Sequence, residues 1–226
     1  MILFLYPSVF QCVKMDTKII RRTQRMAYSN FTLETVRETF QLEMVQSAGI
    51  FSETAGVEPS AELTKALAKK VPLAVAIGTE KAKSEMIVAD ILVELREHFE
   101  HRISLFSGID FNVDTENDLT GVCDFLVSLS PNQYYLESPV IILVEAKKDD
   151  LIIGLGQCTA EMIAAQRFNA EKENDIPSVY GATTTGTHWL FLKLEGKRLH
   201  IDMETYMLER CDKILGILAS MVSQKV

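Results

Sequence analysis

Residues 139–150 read Pro-Val-Ile-Ile-Leu-Val-Glu-Ala-Lys-Lys-Asp-Asp. The first six are apolar, largely β-branched and uncharged, and the charged residues follow without a transition. A short apolar run of this kind predicts a strand covered on both faces, inside a sheet and not at its edge. Side chains alternate along a strand. Ile141, Leu143, Glu145 and Lys147 are therefore expected on one face, with Ala146 pointing away. A carboxylate and an ammonium would then sit side by side where a buried strand ends.

The preceding strand-like run, residues 122–129, carries Asp124 on the face shared with Val122, Leu126 and Ser128. Between the two runs, Ser-Pro-Asn-Gln-Tyr-Tyr-Leu-Glu-Ser has the turn residues Pro131 and Asn132 and predicts a hairpin connection. Antiparallel neighbours would bring Asp124 across the ladder toward Glu145. Two close carboxylates repel unless a cation joins them, and an oxygen-rich pair open to water is a normal seat for Mg2+. Such a cation activates water and stabilises charge on a phosphate. Lys147 beside it would hold the attacking water and stabilise the pentacovalent phosphate. Taken singly, each feature is what a strand leaving a core presents. The joint spacing says more: Asp124, twenty intervening residues, then Glu-x-Lys at the end of an apolar run.

Upstream, residues 79–99 predict one helix, with Thr79 as N-cap and Glu80 favourable in the first turn. Glu85, Val88, Leu92, Leu95 and Phe99 recur at steps of three and four, so one carboxylate interrupts an apolar stripe. Residues 102–106 and 109–113 read as two short strands. Residues 60–70 predict a short helix, 72–78 a turn or extended piece opening on Pro72, and 52–60 a loop. Asn30 is a candidate cap for a helix starting near Thr32. Downstream, Gly154 and Gly156 read as a turn leading into a helix over 157–173, which carries Gln157 and, one turn on, Glu161. Extended runs follow at 178–185, 187–194 and 198–203, with a tight turn at Glu195-Gly196-Lys197. An amphipathic helix over 206–222 closes the chain. The order of elements predicts an α/β fold, a mixed central sheet flanked by helices on both sides.

Gly-Val-Cys-Asp-Phe followed by Val-Glu-Ala-Lys resembles the D…(D/E)xK signature of the PD-(D/E)XK, or restriction-endonuclease-like, nuclease superfamily. The resemblance covers about residues 79–203 and implies a restriction-endonuclease-like core. It implies that Asp124 and Glu145 bind one or two Mg2+ ions with the backbone carbonyl of Ala146, Mn2+ being able to substitute, and that Lys147 is the catalytic lysine. Cys123 stands where the family places proline. Glu85 matches a helical glutamate that reaches the metal in many members, though an ion-pair role fits it as well. Gln157 matches a glutamine found after the E-x-K strand, and helix N-terminal hydrogen bonding fits it as well. Thr185, Gly186 and Trp189 fall in the following strand pair and serve the turn and the core.

The implied activity is Mg2+-dependent hydrolysis of phosphodiester bonds in nucleic acid, with DNA the expected substrate. The alternative is a nuclease-like fold without catalysis, serving to bind nucleic acid or protein. The residues divide into an N-terminal extension, 1–78, partly helical with disorder expected at its start, and a nuclease-like domain, 79–226. The 226 residues include 47% apolar and 24% charged residues, enough for a real core. The formal charge of −8 weighs against broad phosphate contact, although bound cations offset carboxylates and local patches matter more than the total. Candidate phosphate contacts are Lys148, Arg167, Lys172, Lys193 and Arg198, and a basic arm with Lys18, Arg21, Arg22 and Arg25. Four separated cysteines form no C-x-x-C pair and four histidines form no H-E-x-x-H, which argues against zinc sites. The opening apolar run is too short to span a membrane, and Met15 and Met26 are candidate starts. A cytoplasmic protein without membrane partners, free to form a homodimer, is the expectation.

Overall fold

A computed structural model of the chain describes residues 27–174 and 176–224. The basic residues Lys18, Arg21, Arg22 and Arg25 and the thiol of Cys12 lie outside them. Thr32 caps α1 (Leu33–Phe40) through a reciprocal box: its hydroxyl accepts from the Thr35 amide at 3.1 Å, and the Thr35 hydroxyl accepts from the Thr32 amide at 2.9 Å. The cap expected at Asn30 is thus supplied two residues later, because Asn30 closes a 3-10 turn, Tyr28–Asn30. β1 (Glu43–Ser47) follows, and no apolar run announces it.

Ser60 caps α2 (Ala61–Ile77), and the expected break at Pro72 does not occur. Pro72 removes one amide from the helix ladder. Leu63, Leu67 and Ala74 are nonetheless buried along one side, and Gly78, at φ +68°, ends the helix. α3 (Glu80–Lys83), capped by Thr79 as expected, runs through a π-helical turn (Ser84–Val88) into α4 (Ala89–His98). The two short strands expected next are one, β2 (Ser104–Asp110), with Gly108 at φ +62° within it. β3 (Val122–Ser128) and β4 (Val140–Ala146) form the predicted hairpin.

α5 (Leu151–Glu171) begins six residues before the predicted start, capped by Asp150. Gly154 and Gly156 are therefore inside the helix and do not form a turn. Their job is close approach: a Cβ on Gly156 would stand 2.3 Å from the Phe31 carbonyl oxygen, where the chain enters α1. β5 (Val179–Thr184), β6 (His188–Glu195) and β7 (Arg198–Asp202) match the three predicted runs. The last helix is shorter than predicted. Tyr206–Met207 form β8, pairing with β6, and α6 (Cys211–Val222) starts only after a 3-10 turn.

The eight strands make one mixed sheet in the order β1-β7-β6-β5-β4-β3-β2, with β8 attached to β6. β4 pairs parallel with β5 and antiparallel with β3, and every residue of β4 is buried. Its apolar run is consumed by helices on both faces, as predicted. α2, α4 and α6 pack over one face around Leu67, Leu92, Ile142, Phe191 and Ile214. α1 and α5 pack over the other around Val36, Leu126, Leu143, Ala160 and Leu192. β1 pairs parallel with β7, so residues 43–47 belong to the same sheet as the strands of the 79–226 segment. No helix among the described residues is long and apolar enough to cross a membrane.

Candidate active site

The site begins where the sheet opens. β3 and β4 pair from Ser128↔Val140 to Phe125↔Val144, with a register shift between Val127 and Ser128. That irregularity turns Ile141 into the core opposite Leu143, so Ile141 does not share the face of Leu143 as alternation predicts. Beyond Phe125↔Val144 the ladder to β3 stops, whereas the ladder to β5 continues to Ala146↔Thr184. The Lys147 amide then donates to the Thr184 carbonyl at 2.7 Å. β4 is thus held on one side only over its last two residues. On the open side the Ala146 amide donates to Oδ2 of Asp124 at 2.9 Å. A side-chain carboxylate has replaced a backbone acceptor.

Glu145 is 2% exposed, and its Oε1 accepts from Nζ of Lys147. Its Oε2 is buried without a hydrogen-bond partner. Burial, and then repulsion from Asp124, push its pKa up to about 8 despite Lys147. Asp124 is also raised, by burial first, although the Ala146 amide and Lys147 oppose the shift. Burial pulls the Lys147 ammonium down, but the charge and hydrogen bond of Glu145 outweigh it and leave the group above its ordinary value. Nζ of Lys147 also donates to Oε1 of Gln157 at 3.3 Å, and Nε2 of Gln157 donates to Oε1 of Glu161 at 3.1 Å. Gly154, in the first turn of α5, gives this lysine its room: a Cβ there would lie 3.1 Å from its Cγ.

Asp124, Glu145, Ala146, Lys147 and Gln157 are therefore gathered as the sequence implied. Glu85 stands apart from them. It lines a cleft of about 300 Å³ together with Glu80, Lys81, Ser84, Ser107, Gly108, Asp124 and Ala146. Its side chain is 62% exposed and pairs with Lys81 at 3.5 Å. The π turn is the reason. The buried positions step by five from Ala82 to Ile87 and only then return to helical spacing at Ile91, Leu92 and Leu95. A strict 3.6-residue period carried back from Val88 puts Glu85 on the buried stripe; the extra residue turns it outward. Glu80 joins Asp124 as a carboxylate whose charge reaches both Glu145 and Lys147, and the sequence pattern gave it only a dipole role. Glu161 was visible as the residue one turn beyond Gln157, but its complete burial was not.

The candidate phosphate contacts divide. Arg167 is bound to Asp114 and lies over the Phe40 ring at 5.3 Å, Lys193 pairs with Glu195 at 2.8 Å, and Arg198 with Glu43 at 3.5 Å. Lys148, 64% exposed in its side chain, follows the site lysine directly. Lys83, from the helix across the cleft, donates to the Lys148 carbonyl at 2.5 Å. Among the described residues no group of three or more His, Cys, Asp or Glu side chains is arranged to hold a metal ion. Cys123, Cys158 and Cys211 are free and buried. No family model, no curated protein and no solved structure matches the chain.

Proposed function

We propose that this chain is a divalent-metal-dependent phosphodiesterase with a restriction-endonuclease-like core, acting on nucleic acid, with DNA the favoured substrate. The observation that carries the reading is the opened end of β4. There Asp124, Glu145 and Lys147 meet around the Ala146 peptide instead of completing the sheet. The donor set fits a hard cation. It consists of oxygens, it lies beside a cleft, and the buried Oε2 of Glu145 lacks any partner.

In this reading Asp124, Glu145 and the Ala146 carbonyl would hold Mg2+, or Mn2+ in its place, while Glu85, turned outward and paired with Lys81, takes no part. Such an ion would supply charge that acidifies water and neutralises phosphate oxygens. Lys147 stays an ammonium, so it has only hydrogens to give. It holds the water by its oxygen and stabilises the negative charge that builds on the phosphate. Gln157 fixes the ammonium by accepting from it. Lys148, exposed and next in sequence to Lys147, is the candidate for backbone contact. Incubating the protein with single- and double-stranded DNA and RNA in Mn2+ should yield cleavage of at least one form, absent in Lys147→Ala. Equal cleavage by that variant sinks the mechanism.

The second reading, a nuclease-like scaffold that binds without catalysis, is favoured by the lack of a three-ligand group among the described residues and by the net charge of −8. It requires that no divalent ion binds at Asp124.

A further inference from the structure

We propose that Glu161 is a positioning residue that fixes Lys147 through the side-chain amide of Gln157, an inference that rests on the reading above for the task given to Lys147. Gln157 and Glu161 are four residues apart on α5 and so face the same way. An amide has one accepting end and one donating end. The ammonium of Lys147 takes the accepting end at 3.3 Å, which leaves the donating end for Glu161 at 3.1 Å. The polarity of the amide is thereby set from behind. With no acceptor at position 161 its nitrogen would be stranded, and the amide could turn away from Lys147.

Glu161 is not an economical way to fill a core. It is wholly buried, and its second oxygen has no hydrogen-bond partner. Burial first, and then Glu145, hold its pKa well above the carboxylate range. Either protonation state still offers Oε1 as an acceptor. A buried polar atom without a partner destabilises a fold, and an apolar residue of similar volume removes that penalty. Cys158, Met162 and Ala165 around it on the same helix show that the site accepts apolar side chains. A purely structural Glu161 would lower stability when lost. A positioning Glu161 would not, and its loss would be felt at Lys147.

The test uses the intact, metal-free chain and acetic anhydride as probe, with acylation of Lys147 read by peptide mass spectrometry against the exposed Lys81 in the same sample. Glu161→Leu should acylate at Lys147 at least about threefold faster than wild type, as expected for loss of one hydrogen bond to a charged group. Its thermal midpoint should be unchanged or higher. Glu161→Gln keeps an acceptor at that position and should match wild type. Gln157→Met breaks the chain of bonds one link nearer and should reproduce the rise. An unchanged Lys147 rate in Gln157→Met overturns the relay even if Glu161→Leu fails to fold. So does a rise in Glu161→Gln equal to that in Glu161→Leu. Neither nucleic acid nor metal enters this measurement, so it can fail while the nuclease reading stands, and succeed while that reading falls.

Discussion

Two acidic sites lie on the same rim of the sheet, because β4 and β7 run in the same direction and each has a buried carboxylate at or next to its last residue. At the end of β7, Asp202 is fully buried and fully used. Its Oδ1 accepts from the amides of Gly49 at 2.8 Å and Glu204 at 2.9 Å, and its Oδ2 from the Tyr206 hydroxyl at 2.9 Å. It ties the loop after β1 to β7 and β8. At the end of β4, Glu145 and Glu161 are just as buried, yet each has an oxygen without a partner. Asp202 is a carboxylate the fold has satisfied. Glu145 and Glu161 are carboxylates the fold has left short, with Asp124 adding repulsion. Burial alone therefore does not separate the two ends of the sheet; the supply of hydrogen-bond donors does.

The contrast can be broken most sharply at Lys147. Lys147→Ala should lower cleavage about a thousandfold, while circular dichroism and the thermal midpoint stay near wild type. The matching change at the other rim should do the reverse. Asp202→Ala strands two amides and a hydroxyl, and should cost about 3 kcal/mol of unfolding free energy in urea titration. Cleavage by the fraction that remains folded should be unaltered.

The next effect is in pH. Glu145 has its folded pKa near 8, above its ordinary 4.5, and Asp124 and Glu161 are shifted the same way. Below 4.5 both folded and unfolded chains hold the Glu145 proton. As pH rises from there toward 8 the unfolded chain releases it first, so the folded chain binds more protons and stability falls; above 8 this contribution levels off. The metal-free thermal midpoint should drop by about 5 °C across that window, and Mn2+ should remove most of the drop. The smallest effect is Glu145→Gln, which copies the protonated acid. It should stay within about 1 kcal/mol of wild type at neutral pH and flatten the pH dependence.

One side of this contrast, the end of β4, is largely legible in the sequence, and the Asp202 side is not. The apolar run into Glu145, the hairpin that brings β3 beside β4, and the three strands after α5 all follow from local pattern, because each is a short run bounded by turn residues. Asp124, Glu145 and Lys147 were legible because alternation and a hairpin suffice to bring them together. What stayed hidden depends on distant partners. β1 has no pattern of its own and exists because β7 offers a parallel edge. Glycines 154 and 156 look like a turn until α1 is seen lying against α5. The π turn defeats any fixed helical period, which moved Glu85 outward and concealed Glu80. The burial of Glu161 depends on packing between α5 and the sheet, which no spacing encodes.

If the opened end of β4 receives a divalent cation, Mn2+ titrated into the metal-free protein and followed by calorimetry should show saturable binding that is lost in Asp124→Ala but kept in Asp202→Ala at a temperature where that variant is folded. Heat no greater than dilution in the wild-type protein, or binding unaffected by Asp124→Ala, would contradict it.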